Sequence, residues 1–193
     1  KELLKPGALI LIKNEKGKHR KTSFSTQAVY DGEILISLNT LLPNKFTEHL
    51  LKEKKIDFLN NYQIDKKEIT YGNHRFDFQL INENEILLLE IKSVTLVENT
   101  IARFPDSVTV RGRSHVEQLG KMAEQGKKTM VLFVVQRPDS KLFQPQWTRD
   151  PKFSFALYEA WQKGLDVRVI HMKMTPNYIH YLGEIPYTLN PKS

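Results

Sequence analysis

Apolar and polar positions alternate along this chain in two different rhythms. Ala8–Lys13 is apolar and β-branched and follows Pro6-Gly7, which suits a strand entered from a turn, with a hairpin loop over Asn14–Lys18. Phe24–Tyr30 and, after the Asp31-Gly32 turn, Glu33–Leu38 continue that pattern, so the opening reads as small and all-β. Cap-type residues and Pro43 then precede Phe46, His49, Leu50 and Ile56 at helical spacing, predicting a helix over about 44–55. Residues 57–67 are polar and ambiguous. Ile69–Ile81 and Ile86–Lys92 read as two strands of a hairpin closed by the polar loop Asn82–Glu85. Further on, 113–126 reads as an amphipathic helix, Met130–Gln136 as a buried strand, Pro151–Lys163 as a helix stopped at Gly164, and Val167–Lys173 as a closing strand. Strands alternating with helices after an antiparallel hairpin predict an α/β domain with a mixed sheet flanked by helices.

Composition narrows the chemistry. The 193 residues suffice for one well-packed domain or one domain plus a small module, and make two large domains improbable. Cysteine is absent, which excludes disulfides and thiolate metal sites and leaves oxygen and imidazole ligands, hence hard cations such as Mg²⁺ or Mn²⁺. The longest apolar runs are far shorter than the roughly 20 residues that span a bilayer, and no secretory signal is visible, so a cytoplasmic protein is expected. The net charge of +7 is uneven: residues 1–21 carry seven Lys/Arg against Glu2 and Glu15, a net of +5. Such a segment, with Lys18, Arg20 and Lys21 at its end, attracts phosphate backbones; it also fits a solvated surface turn.

One constellation could carry a reaction. If Ile81 pairs with Ile86 across the hairpin, counting outward sets Asp77 opposite Glu90, where two like charges destabilise unless compensated. A divalent cation would compensate them. Lys92, two residues beyond Glu90, projects from the same face of its strand. Such a set suits phosphodiester hydrolysis, with Asp77, Glu90 and the Ile91 carbonyl as ligands and Lys92 orienting water or stabilising developing charge. The plainer reading is a surface ion pair, but the apolar run Ile86–Ile91 argues for a buried strand, where an acidic pair needs a reason. Arg111 and Arg113, after Phe104-Pro-Asp106, suit phosphate clamping or simple surface charge. His115 is expected to be packed or solvated rather than catalytic, Asn39 and Thr40 to serve as strand-end and cap residues, and Phe143, Trp147 and Trp161 to be core.

A set of motifs in fixed order extends this picture: Ser37-Leu-Asn-Thr40 with Pro43-Asn44, Arg75-Phe-Asp-Phe78, Leu89-Glu-Ile-Lys-Ser-Val-Thr-Leu-Val-Glu98, Phe104-Pro-Asp-Ser-Val-Thr109, Arg111-Gly112 with His115, and Leu132-Phe-Val-Val135. With them the chain resembles the sugar fermentation stimulation protein A family, whose nuclease domain is similar to the PD-(D/E)XK superfamily. The resemblance implies a restriction-endonuclease-like domain over 36–193 after an OB-like module. Residues 1–35 would be the C-terminal part of that module, because the family carries more sequence before this point. It further implies DNA binding, Asp77 and Glu90 as metal carboxylates and Lys92 as the catalytic lysine. The superfamily also takes a glutamate from the first helix and a Gln or Glu from the helix after the ExK strand; Glu48 and Gln118 are the candidates, although His49 and Gln118 stand where relatives often have glutamate. Nucleic-acid contacts are expected from Arg75, Arg111, Arg113, Lys18, Arg20 and Lys21. Two functions follow as expectations: a Mg²⁺- or Mn²⁺-dependent nuclease acting on DNA or RNA, and a non-catalytic, non-specific DNA-binding protein influencing transcription of sugar-metabolism genes.

Overall fold

A computed structural model describes residues 3–15 and 22–191. In chain order the strands and helices are β1 (Ile10–Asn14), β2 (Phe24–Asp31), β3 (Ile34–Ser37), α1 (Leu42–Lys52), β4 (Gln63–Tyr71), β5 (His74–Ile81), β6 (Ile86–Val94), β7 (Leu96–Glu98), β8 (Ile101–Phe104), α2 (Val110–Glu124), β9 (Lys128–Val135), β10 (Leu142–Pro145), α3 (Pro151–Gln162), β11 (Asp166–Met174) and β12 (Ile179–Glu184). The main sheet runs β1-β2-β3-β11-β9-β6-β5-β4, with β12 added on β11, and β7, β8 and β10 form a separate small sheet. β6, β9 and β11 are parallel to one another and the other strands of the main sheet pair antiparallel, so the expected mixed α/β sheet flanked by helices is what forms.

The apolar runs in β6 and β9 follow from their central place, since a strand covered on both faces has no polar side to alternate with. Leu88, Val94, Val131, Phe133 and Val135 pack with Val116 and Leu119 of α2 and with Phe153 and Leu157 of α3. Leu87, Leu89, Ile91, Leu132 and Val134 face the other way, onto Phe46, Leu50 and Leu51 of α1. Two residues position the helices on the first face. Thr109 caps α2 by accepting from the Gly112 N–H, and Gly120 lies so close to Ala160 that a Cβ there would stand 2.7 Å from that residue's own Cβ. Among the described residues no helix is long and apolar enough to cross a membrane.

The structure departs from the sequence reading at three places. Ile69–Ile81 is not one strand: Gly72, at φ +57°, and Asn73 make a two-residue turn, Tyr71 pairs with His74, and the polar stretch before it becomes β4. The helix read at 113–126 begins earlier, at Val110, and that read at 44–55 begins at Leu42, because Pro43 is compatible with a first helical turn. β3 joins the main sheet through Leu35↔Met174.

Candidate active site

β5 and β6 pair from Ile81↔Ile86 to Phe78↔Leu89, and there the ladder stops. The expected opposition of Asp77 and Glu90 would have been the next pair. Instead the Asp77 carboxylate replaces a ladder acceptor: its Oδ2 accepts from the Ile91 N–H at 2.7 Å and its Oδ1 from Asn44 of α1 at 2.6 Å. The side-chain rhythm of β5 breaks at the same point, with Phe78 and Leu80 in the core under α1 and Phe76 in the core under α2. Asp77 thus occupies the opening between two central strands.

Glu90 and Lys92 are brought together on the α2 side, as a strand period of two requires, with Lys92 Nζ 2.6 Å from Glu90 Oε1. The same oxygen receives His115 from α2 at 2.7 Å. Because a carboxylate can only accept, Nδ1–H of His115 is the donor. His115 is itself buried, edge-on to the rings of Phe76 and His74. Glu90 Oε2 is buried and has no hydrogen-bond partner among the described residues.

The electrostatics of the two acids diverge. Burial, then the charge of Glu90, pushes Asp77 up to about 6, against the opposing bonds from Ile91 and Asn44. Burial also acts to raise Glu90, but the His115 hydrogen bond and the Lys92 charge outweigh it and hold that carboxyl below its ordinary value. The cluster therefore contains one firmly ionised acid and one that resists ionising beside it.

These residues fit a hard divalent cation. An oxygen that is buried, anionic and without a partner is costly, and a cation between it and Asp77 would satisfy both acids. Among the described residues no three His, Asp or Glu side chains form a metal-ligand group; the groups here that could hold such an ion are the two carboxylates, with the Ile91 carbonyl as the further expected one. A magnesium site commonly takes only one or two carboxylates and completes its shell with water and substrate phosphate.

The remaining expected residues lie as follows. Glu48 does not join the cluster through a hydrogen bond; Lys52 and Lys67 hold it at 2.7 and 3.2 Å, and the α1 residue on Asp77 is Asn44, one turn earlier. Gln118 is half-buried on α2, one turn beyond His115, and makes no hydrogen bond to the acids. Arg75 is exposed on β5 beside Glu68, Arg111 is exposed in the first turn of α2, and Arg113 is 3.6 Å from Glu117. Lys18, Arg20 and Lys21 lie outside the described residues.

Sequence reasoning gave no role to Asn44 and set His115 aside. For His115 a signal existed: it shares the α2 face of Val116, Leu119 and Met122, and a histidine on a buried stripe needs a polar partner. For Asn44 the Pro43-Asn44 motif marked the position but not its role, because only the packing of α1 across the sheet carries it to Asp77.

Comparison with known proteins agrees with this architecture. The family model described as "Sugar fermentation stimulation protein RE domain" matches residues 41–178. The sugar fermentation stimulation protein homolog of Clostridium perfringens (strain SM101 / Type A) is 38% identical over 190 residues, covering 98% of this chain and 83% of that protein. Its counterpart in Natranaerobius thermophilus is 39% identical over 193 residues, covering 97% and 80%. A solved structure of Pyrococcus furiosus SfsA in complex with Ca²⁺ superposes with a TM-score of 0.90 at 28% identity, covering 97% of this chain and 80% of that one. A match over more than half the chain, relatives at this identity and a shared fold lead to one conclusion: the chain belongs to the sugar fermentation stimulation protein family.

Proposed function

We propose that Asp77, Glu90 and Lys92 form the active centre of a divalent-metal-dependent nuclease that hydrolyses phosphodiester bonds of DNA or RNA. The observation that carries this reading is the buried, unpartnered Glu90 oxygen in a cluster that also holds a lysine and a second acid pushed up to about 6. Asp77, Glu90 and the Ile91 carbonyl would hold Mg²⁺ or Mn²⁺; that the Pyrococcus furiosus relative was solved with Ca²⁺ supports a hard-cation site in the family. When bound, such an ion polarises a phosphate and acidifies water.

Each protein group has its own part. Lys92 directs its ammonium to the charge that develops on the phosphate. His115 orients Glu90 and leaves its second oxygen free to act as a ligand. Asn44 and the Ile91 N–H orient Asp77. Arg111 and Arg113, at the start of α2, lie on the same side of the sheet as Glu90 and supply phosphate contacts. Residues 1–35 belong to an OB-like nucleic-acid-binding module, residues 36–193 to the nuclease domain, and the protein works in the cytoplasm.

The test is cleavage of labelled single- and double-stranded DNA and RNA with Mg²⁺, Mn²⁺ or EDTA. Cutting by the wild type should require metal and fall by at least about 100-fold in Glu90→Ala and Lys92→Ala. Salt-sensitive binding without cutting, unaffected by EDTA, would overturn the nuclease in favour of a DNA-binding protein.

A further inference from the structure

A cleft of about 1270 Å³ opens where the parallel strands β6 and β9 end, bounded by residues 3–8 and β2 on one side and by the β7–β8 hairpin and the loop after it on the other. In open α/β sheets the carboxyl ends of the strands are where ligands bind, because loops diverge there and leave a crevice. Ser93, the residue after Lys92 and on the opposite face of β6, lines it.

Its floor carries an unusual pair. Gln136 is 1% exposed; its Nε2 donates to Ser93 Oγ at 2.7 Å, and its carbonyl oxygen is buried without a hydrogen-bond partner among the described residues. Ser93 accepts that bond, and among the described residues its hydroxyl proton has no acceptor. One acceptor and one donor thus stand side by side, each lacking a complement. A buried amide left half-paired is costly, so the arrangement makes sense if a ligand completes it.

The walls indicate the kind of ligand. Lys5, Arg103 and Arg149 bring cationic groups to the walls, with Arg103 3.2 Å from Glu98 and Arg149 donating to the Asp106 carbonyl, and apolar Val97 and Val108 lie beside them, a lining that tolerates both phosphate and apolar base surface. Arg137 bridges Asp31 of β2 at 2.7 Å and Asp139 at 2.8 Å and so ties β2 to the end of β9. The volume slightly exceeds that of a drug-sized pocket and suits a few nucleotides of one strand rather than a duplex.

We infer that this cleft binds a single-stranded segment of nucleic acid at the carboxyl ends of β6 and β9, with Ser93 and Gln136 pairing to a nucleotide group that both donates and accepts a hydrogen bond. That group is a sugar hydroxyl or a base edge. The inference rests on the nucleic-acid reading above and adds strand state and a recognition pair to it.

Fluorescence anisotropy in EDTA reads binding without turnover. The ligands are labelled single strands of DNA and RNA, a matched abasic strand and a duplex; the proteins are wild type, Gln136→Leu and Ser107→Trp, the last filling the cleft from an exposed loop position that leaves the core untouched. Both variants should weaken single-strand binding about tenfold while duplex binding stays unchanged. A wild-type preference for base-bearing over abasic strands assigns the base edge; a preference for RNA over DNA assigns the sugar hydroxyl. Wild-type affinity for single strands in both variants, with an unchanged melting temperature, overturns the cleft and leaves the nuclease standing. Failure of the wild type to bind any strand overturns the nucleic-acid reading itself.

Discussion

Glu48 and Glu90 are each held by two basic side chains at short range, and the two clusters behave differently because of depth. Around Glu48, Lys52 and Lys67 have side chains 64% and 55% exposed; around Glu90, Lys92 and His115 are 11% and 7% exposed. Water screens the first cluster, so each of its ion pairs contributes on the order of 0.2–1 kcal/mol. The second has lost its water, so every charge in it must be met by another group, and one Glu90 oxygen is not met. The same residue types make a solvated helix flank in one place and a candidate reaction centre in the other.

The sharpest way to break this comparison is Lys92→Met. Removing one partner of a buried pair leaves an uncompensated charge, so the variant should lose about 3–5 kcal/mol in urea denaturation, and cutting should fall at least about 100-fold. Unchanged stability would make Glu90 an ordinary ion pair, like Glu48.

Next in size is the pH dependence of the metal-free protein. The folded pKa of Asp77, about 6, lies above its ordinary value near 4, so between those values the native state binds the proton more tightly than the unfolded chain. Stability from this group is therefore full below pH 4 and falls as pH rises through 6. The shift of roughly two units corresponds to up to about 3 kcal/mol. Denaturation of chelated wild type against Asp77→Asn at pH 4, 6 and 8 isolates it; a difference that does not change with pH would place Asp77 in water, like Glu48.

Metal should offset that penalty. At 100 times its dissociation constant, Mg²⁺ or Mn²⁺ should stabilise the wild type by about 2.7 kcal/mol at pH 8, read as a rise in melting temperature. The rise should shrink below pH 6, where a proton competes for Asp77, and disappear in Glu90→Gln. Equal shifts in the wild type and Glu90→Gln would locate the cation elsewhere.

The smallest expected effect sharpens the other side. Glu48→Gln should cost about 0.2–1 kcal/mol and leave cutting unchanged. A tenfold loss of cutting would return Glu48 to the metal site.

Much of the β5–β6 hairpin was legible because its signals are local. The polar loop Asn82–Glu85 closes it, and Ile81 pairs with Ile86 as counted. The β7–β8 hairpin was not legible: its turn is Asn99-Thr100, both at positive φ, and a β-branched threonine gives no turn signal of the kind that glycine gives. The Gly72-Asn73 turn was legible in principle, but it was absorbed into a long apolar-looking run. The stop of the ladder before Asp77 had no local sign, since any β5 residue could have continued the pairing.

By itself the sequence determined that Glu90 and Lys92 share a face and that their strand is buried, because the period of two and the apolar run are properties of a few neighbouring residues. Only the tertiary structure decided which groups meet them: Asn44 is 33 residues from Asp77, and His115 is 25 residues from Glu90. Those meetings depend on how α1 and α2 pack across opposite faces of the sheet, and helix packing is set by the fit of many side chains at once rather than by any short pattern.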